Sequence, residues 1–307
     1  MDVSVIIVNY KTRDITLQCL RSLFQNTSGV EMEVIVVDNA SGDATPQYIH
    51  QEFPQVRVIE SNENLGFGGG NNLGNSYATG KYLFFLNSDT IVIRNIAYCF
   101  FDFMEKHPEY ASCGGNLLDR YGTNAVSHGK FPSLLQEFSD IGFSIFYRKF
   151  YRNKLALGQC IYSGDYRNVD YISGADIFIR KEIFDSMDGF DKNIFMYYEE
   201  TDLYFRMYKK GLKSCLLPYA IMVHLEGGSF SNYKEMNLKR FWLNSKSKFY
   251  FYKKNYGTWQ MNAMRILNIL SILTHSYKNF GDSLKCILLP VSYTHLRTHE
   301  TSLHLVC

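Results

Sequence analysis

The amino-acid sequence predicts an α/β fold built on a mostly parallel sheet with helices on both faces. Three observations carry this reading. Strand and helix signals alternate through the first ninety residues, the strand segments are continuous apolar runs, and polar or acidic residues follow directly on the strand ends. Continuous apolar runs suit strands buried on both faces, the condition of a parallel sheet covered by helices.

Val3–Tyr10 (VSVIIVNY) is a β-branched run and reads as the first strand. From Asp14 to Gln25, Ile15, Leu17, Leu20, Leu23 and Phe24 recur at roughly helical spacing. Glu33–Asp38 (EVIVVD) is a second buried strand, Ser41-Gly42-Asp43 a turn, and Ala44–Phe53 a short helix. Val56–Ser61 is a third strand. Gly66–Gly70 reads as a glycine-rich loop leading into a helix through Tyr77, and Tyr82–Leu86 (YLFFL) is a fourth strand. Ile91–Met104 follows as a helix. Asp119–Asp170 mixes Phe, Tyr and charge without a clear period and reads as an insertion. Tyr171–Arg180 (YISGADIFIR) is a strand pair or a strand plus turn. Glu199–Lys210 is a helix with Leu203, Met207 and Tyr208 on its apolar face, and Ser214–His224 is a strand region around Pro218.

A length of 307 residues allows one large domain with an extension, and a net charge of +2 gives no global electrostatic case for nucleic acid. The seven cysteines form no CxxC pair and no metal-like spacing, which favours a reducing compartment. Met1–Tyr10 carries Asp2 and no basic region, so it reads as a strand and not as a signal peptide. The expected location is the cytoplasm.

In open α/β sheets ligands bind beyond the carboxyl ends of the strands. Asn9, Tyr10, Asp38 and Asn87-Ser88-Asp89 all fall at such ends and should converge on one crevice. Asp38 could accept hydrogen bonds from a nucleobase or ribose, or could close an Asx turn over Asn39–Ser41. Asp89 could bind a hard divalent cation on a diphosphate, or cap the helix expected at Ile91. Gly66-Phe67-Gly68-Gly69-Gly70-Asn71 could bring backbone close to a nucleotide, or form a turn needing positive φ. Its spacing fails the dinucleotide fingerprint, which needs glycine where Asn71 stands. Glu199-Glu200-Thr201-Asp202 suits a helix N-terminus electrostatically, and either Glu could serve as a general base. His224, before Gly227-Gly228-Ser229, is a structural histidine or a ligand.

Taken in order, VSVIIVNYK, VIVVDNASGD, NENLGFGGGNN, FLNSD, SGADIFIRKEIF, GFDKNIFMYYEETDLYFR and VHLEGGS resemble family 2 glycosyltransferases, most closely rhamnosyltransferase-like and galactofuranosyltransferase-like members. The resemblance covers Val3 to Ser229. It implies a GT-A fold and an inverting transfer of a sugar, such as rhamnose, from a nucleotide-diphosphate donor. The acceptor would be a hydroxyl of a glycan or lipid-linked molecule in cell-surface polysaccharide synthesis. It places Asn9, Asp38, Asn64, Gly66, Gly68 and Asn71 at the nucleotide, and Asp89 and His224 at a Mg²⁺ or Mn²⁺ ion. Glu200 takes the base position with Glu199 and Asp202 as acidic support, and Gly174, Ala175 and Asp176 border the acceptor. The sequence departs from the family in two places. Asn87 replaces the first carboxylate of a DxD motif, and Glu200 stands where Asp is commoner. A catalytically inactive binding relative is the main competing reading. A nucleotidyltransferase lacks its phosphate loop here, and a Rossmann oxidoreductase lacks its glycine spacing.

The resemblance divides the chain into a catalytic domain over 1–230 and a helical extension over 231–289. Lys239, Arg240, Lys246, Lys248, Lys253 and Lys254 interleave with aromatics in the extension, and its apolar run is too short to span a bilayer. Peripheral contact with the inner face of a membrane is expected there. Residues 290–307 begin PVSYTHLRTHET, which resembles a translated sequencing adapter with Thr298 as its one departure. They are expected to be non-native, with the native chain continuing past Leu289.

Overall fold

A computed structural model describes residues 1–140, 158–159, 164–225 and 238–274. The adapter-like tail and Gly227-Gly228-Ser229 lie outside the described residues. The strands are β1 Val3–Asn9, β2 Met32–Asp38, β3 Arg57–Glu60, β4 Tyr82–Leu86, β5 Thr90–Val92, β6 Tyr110–Leu118, β7 Val126–Gly129, β8 Gly158–Gln159, β9 Arg167–Asn168, β10 Tyr171–Ile172, β11 Asp176–Arg180 and β12 Lys213–His224. The helices are α1 Arg13–Asn26, α2 Thr45–Glu52, α3 Gly66–Asn75, α4 Ile96–Lys106, α5 Leu134–Asp140, α6 Lys181–Ser186, α7 Glu199–Lys209, α8 Leu238–Tyr256 and α9 Thr258–Thr274.

The main sheet runs β3-β2-β1-β4-β11-β6-β12-β5, with β9 pairing β12. β1 to β4 are mutually parallel, β11 runs antiparallel between β4 and β6, and β12 is parallel to β6. Strand order reverses at β1, because β2 and β3 stack on one side and β4 on the other. That reversal opens a crevice at the carboxyl ends of β1, β2 and β4. A small second sheet, β10-β7-β8, lies beside the main one in the chain order.

The apolar runs are continuous because both faces are covered. Val5, Ile7 and Phe84 join the cluster holding Leu20 of α1 and Phe100 of α4. Their neighbours Ile6 and Phe85 join the opposite cluster with Phe184 of α6 and Leu203 of α7. Truncating one such Phe to Ala typically costs about 3–5 kcal/mol.

Two expectations need correction. Gly66–Gly70 is not a loop: the glycines are the first turns of α3. A Cβ on Gly70 would sit 2.8 Å from Val8 Cγ1, and one on Gly74 would sit 2.5 Å from Ile6 Cγ2. The glycines let α3 lie directly on β1, and this close packing overrides their poor helix propensity. The helix expected at Ile91–Met104 starts at Ile96, because Thr90–Val92 is a short strand paired antiparallel with β12. Asp89 therefore precedes a strand, and the helix-cap reading of Asn87–Asp89 falls.

The helical extension is present. α8 and α9 pack with Phe205 of α7 through Phe249, Phe251, Tyr252, Met261 and Met264, with Leu134 of α5 alongside. Lys248 pairs with the buried Glu137 of α5, and Tyr252 donates to the same carboxylate at 3.3 Å. Among the described residues no helix is long and apolar enough to cross a membrane.

Candidate active site

At the ends of β1 and β2, Asn9 and Asp38 are register partners. Both are buried, and Asn9 is a hub. Its Nδ2 donates to Asp38 Oδ1 at 2.7 Å and to Ser41 Oγ at 3.0 Å. Its Oδ1 accepts from the hydroxyls of Thr12 and Thr16, both at 2.9 Å. Asp38 Oδ2 accepts from Ser41 N at 3.2 Å, so the turn and the hub both orient this carboxylate.

Asn39 joins the next segment. Its Nδ2 donates to Asn64 Oδ1 at 2.9 Å and Gly66 O at 3.1 Å, and its Oδ1 accepts from Leu65 N at 2.9 Å. Gly66 N donates to Asn64 Oδ1, also at 2.9 Å. Asn39 was not singled out from the sequence, where it reads only as a turn residue. Gly66 has φ +73°, and a Cβ there would land on the Phe195 carbonyl, so only glycine fits. Asn71 is buried and turns back to Phe67 O at 3.0 Å.

The carboxyl end of β4 carries Asn87-Ser88-Asp89. Pairing of β5 with β12 sets His224 opposite Thr90 and brings His224 Nε2 to 3.1 Å from Asp89 Oδ1. Asn87 Nδ2 lies 3.4 Å from the same ring nitrogen, and Leu225 N donates to Asp89 O at 2.9 Å. Ser88 Oγ stands 3.4 Å from Thr12 Oγ1, which joins this end of the crevice to the Asn9 hub. Among the described residues no third His, Cys, Asp or Glu joins the pair.

Gly174 lies against Phe67 of α3. Ala175 and Asp176 are fully buried, and Ala175 O accepts from Asn87 N at 3.0 Å. Asp176 Oδ2 accepts from Gly115 N, while Oδ1 has no partner. Burial pushes this carboxyl well above its usual range. Its side chain is thus spent inside the sheet, on the backbone of β6.

The base candidates stand at the start of α7. The two residues before it, Tyr197 and Tyr198, have φ of 66° and 69°. Left-handed backbone at bulky residues costs about 1–3 kcal/mol each and gathers at functional sites. α3 touches this segment from below. Phe67 N donates to Phe195 O at 3.1 Å, Asn72 exchanges two hydrogen bonds with the Phe190 backbone, and Gly68 faces Phe190 and Glu199.

Glu199 is buried with Oε2 unpartnered. Burial, and then the charge of Glu200, push its carboxyl well above the usual range. Burial raises Glu200 to about 7, against the pull of the Glu200 and Thr201 N–H groups. Tyr171 of β10, also missed from the sequence, hydrogen-bonds with Thr201 and feels the Glu200 charge. Asp202 is fully buried and paired with Arg206 at 2.8 Å and Lys254 at 2.8 Å.

The structure thus brings Asn9, Asp38, Asn64 and Gly66 into one network and Asp89 and His224 into contact. Through Gly68 it sets Glu199 against the same glycine-rich helix. Asp89 and His224 present an oxygen and a nitrogen side by side, and the first turn of α7 presents carboxyl groups of raised proton affinity.

Residues 4–173, more than half of the chain, match the model of glycosyl transferase family 2. The N-acetylglucosaminyl-diphospho-decaprenol L-rhamnosyltransferase of Mycobacterium tuberculosis is 28% identical over 206 residues, covering 63% of this chain and 66% of that protein. The chain therefore spans just under two thirds of that relative's length. Rhamnosyltransferase WbbL of Escherichia coli is 28% identical over 231 residues, covering 72% of this chain and 83% of that protein. Among solved structures, S. aureus TarS 1–349 superposes with a TM-score of 0.55 at 17% identity, covering 99% of this chain and 75% of that one. The mannosyltransferase of Pyrobaculum calidifontis, solved with GDP-Man and Mn²⁺, gives 0.57 at 12% identity, covering 92% and 73%. These likenesses establish the GT-A fold, and with the family match they show that the chain belongs to glycosyl transferase family 2.

Proposed function

We propose that the chain is an inverting, metal-dependent glycosyltransferase that moves a sugar from a nucleotide-diphosphate donor to a hydroxyl of a glycan or lipid-linked acceptor. The observation that carries this reading is the meeting of Asp89 and His224, distant in sequence, at the strand-end crevice. Rhamnose from a thymidine diphosphate donor is the transfer we favour, given the two rhamnosyltransferase relatives. The N-acetylglucosaminyl-diphospho-lipid named for the mycobacterial relative is the model acceptor. A role in cell-surface polysaccharide synthesis follows, at the cytoplasmic face of a membrane.

The residues present fit a divalent cation. Asp89 Oδ1 and His224 Nε2 stand 3.1 Å apart, so a carboxylate and an imidazole would be available together to hold one ion. With two protein donors, diphosphate oxygens and water would complete the ligand set. When bound, the ion supplies charge neutralisation for the departing diphosphate.

The chain's own residues do the rest. Asp38, oriented by Asn9 and Ser41, accepts hydrogen bonds from the nucleoside. Asn64, Gly66, Gly68 and Asn71 shape the wall along it. Glu200 takes the proton of the acceptor hydroxyl as that oxygen attacks the anomeric carbon, and a single displacement inverts the configuration. A carboxyl titrating at about 7 is suited to this work near neutral pH. Glu199 and Asp202 give it acidic surroundings, and Gly174 and Ala175 border the acceptor side, with the buried Asp176 holding their strand from within the sheet.

Glu200 in place of the commoner Asp is the one feature that favours an inactive, donor-binding relative. Transfer from TDP-L-rhamnose to a short-chain N-acetylglucosaminyl-diphospho-lipid separates the two readings. In an enzyme, Glu200→Gln lowers turnover by about 10²–10⁴-fold while donor binding stays within twofold. Donor binding without turnover in the wild-type protein, across UDP-, TDP- and GDP-sugars, supports the binding relative instead.

A further inference from the structure

We infer that helix α8 of the extension is part of the reaction centre, with Lys254 as a positioning residue that clamps the turn carrying Glu200 through Asp191 and Asp202. This deepens the proposed function and rests on its assignment of Glu200 as the base.

One stripe of α8 carries the argument. Ser247, Tyr250, Phe251, Lys254 and Asn255 are spaced three, four, seven and eight residues along the helix and so share a face. Every one of them grips the segment from Asp191 to Asp202. Ser247 Oγ donates to Met196 O at 2.8 Å. Tyr250 OH donates to Asp191 Oδ2 at 2.9 Å. The Phe251 ring lies 5.7 Å from that of Tyr198. Lys254 Nζ bridges Asp191 Oδ2 at 2.6 Å and Asp202 Oδ2 at 2.8 Å, and Asn255 Nδ2 donates to Asp202 Oδ1 at 3.2 Å. The gripped segment contains Tyr197 and Tyr198, whose left-handed backbone aims the first turn of α7. Such backbone persists only where its surroundings over-determine it. The α8 stripe supplies that hold from one side, and Asn72 and Gly66 of α3 supply it from the other.

The charges make Lys254 more than a strut. The first turn of α7 holds three carboxylates, Glu199, Glu200 and Asp202. Arg206 on the same helix and Lys254 from α8 are the cations on Asp202. Tyr171 faces Glu200 from β10, with Asp170 beside it, and Tyr198 precedes it in the chain. α3 presents Gly68 to this turn and brings no charge. Losing Lys254 leaves Asp202 with Arg206 alone and takes the lysine from Asp191, so the charge around the turn becomes more negative, which disfavours the ionised form of Glu200.

The test is a ¹³C NMR titration of glutamate carboxyls in the full chain, with the Glu200 signal assigned by its loss in Glu200→Gln. Lys254→Met should raise the Glu200 midpoint by about 0.5–1 unit. Asp202→Asn should lower it, and Lys254→Arg should restore the wild-type value. If Lys254→Met does not fold, the double variant Asp202→Asn/Lys254→Met removes the buried carboxylate together with its partner. Its midpoint should lie above that of Asp202→Asn alone. In the TDP-L-rhamnose assay, Lys254→Met should lower kcat at pH 7 by about tenfold and shift the acid limb of the pH profile upward. The donor KM should stay within twofold. An unchanged Glu200 midpoint in Lys254→Met, or no restoration by Lys254→Arg, overturns the inference. A wild-type protein that transfers no sugar removes the base role, but the titration still reports whether Lys254 sets the charge of Glu200.

Discussion

At the ends of β1 and β2, the crevice residues hold one another. Asn9 binds Asp38, Ser41, Thr12 and Thr16, all within the first 41 residues. At the start of α7 the hold comes from outside, from α8 some fifty residues later, through Lys254 and Asn255 on Asp202. The proposed donor end is therefore a local network on rigid strands. The proposed base end is a strained turn held between α3 and a helix distant in sequence. Strands position side chains with little freedom, whereas a left-handed turn holds only while its clamp does.

Substitutions can break this contrast from either side. The largest effect on the donor end is expected from Asn9→Ala. It leaves Asp38 Oδ1 and two buried hydroxyls short of a partner, and should cost about 2–4 kcal/mol in chemical denaturation. The Glu200 midpoint should not move in that variant. If it does, the two ends are not independent.

A smaller loss is expected from Gly74→Ala, where the new methyl meets Ile6 and lifts α3 from β1. About 1–3 kcal/mol is expected, with a weaker nucleotide-induced stabilisation. Gly42→Ala, at φ +66° with open space around it, should cost only about 1 kcal/mol and leave nucleotide binding unchanged.

The subtlest effect concerns pH. Glu200 binds its proton more tightly folded than unfolded, since its carboxyl is raised from 4.5 to about 7. The folded state then holds more protons than the unfolded state between these values, so this group lowers stability as pH rises through that window. Glu200→Gln removes the penalty. Its melting temperature should exceed that of the wild type at pH 8 and match it at pH 4. An equal difference at both values would contradict burial as the cause of the shift.

Much of the strand-end crevice proposed for the donor is legible in the sequence because its signals are local. VSVIIVN and YLFFL are strands by composition, and Asn9, Asp38 and Asp89 follow from their place at strand ends. The glycine-rich helix was misread because propensity favours a loop there, and only contact with Val8 and Ile6 makes glycine the right residue. Thr90–Val92 is too short to announce itself as a strand, yet it brings His224 to Asp89. The sequence points the lysines of α8 toward a membrane surface. Two of them, Lys248 and Lys254, pair with the buried acids Glu137 and Asp202, which no pattern within α8 reveals.

The central claim is a metal-assisted nucleotide-sugar site at Asp89 and His224. Thermal stability of the full chain measures it directly, with UDP, TDP and GDP, each with and without Mn²⁺, beside Asp89→Ala. A nucleotide at about a hundred times its dissociation constant should stabilise the fold by roughly 2.7 kcal/mol. The account predicts a shift with TDP that requires Mn²⁺ and is lost in Asp89→Ala. Stabilisation that is equal with and without the metal, or that survives in Asp89→Ala, would contradict it.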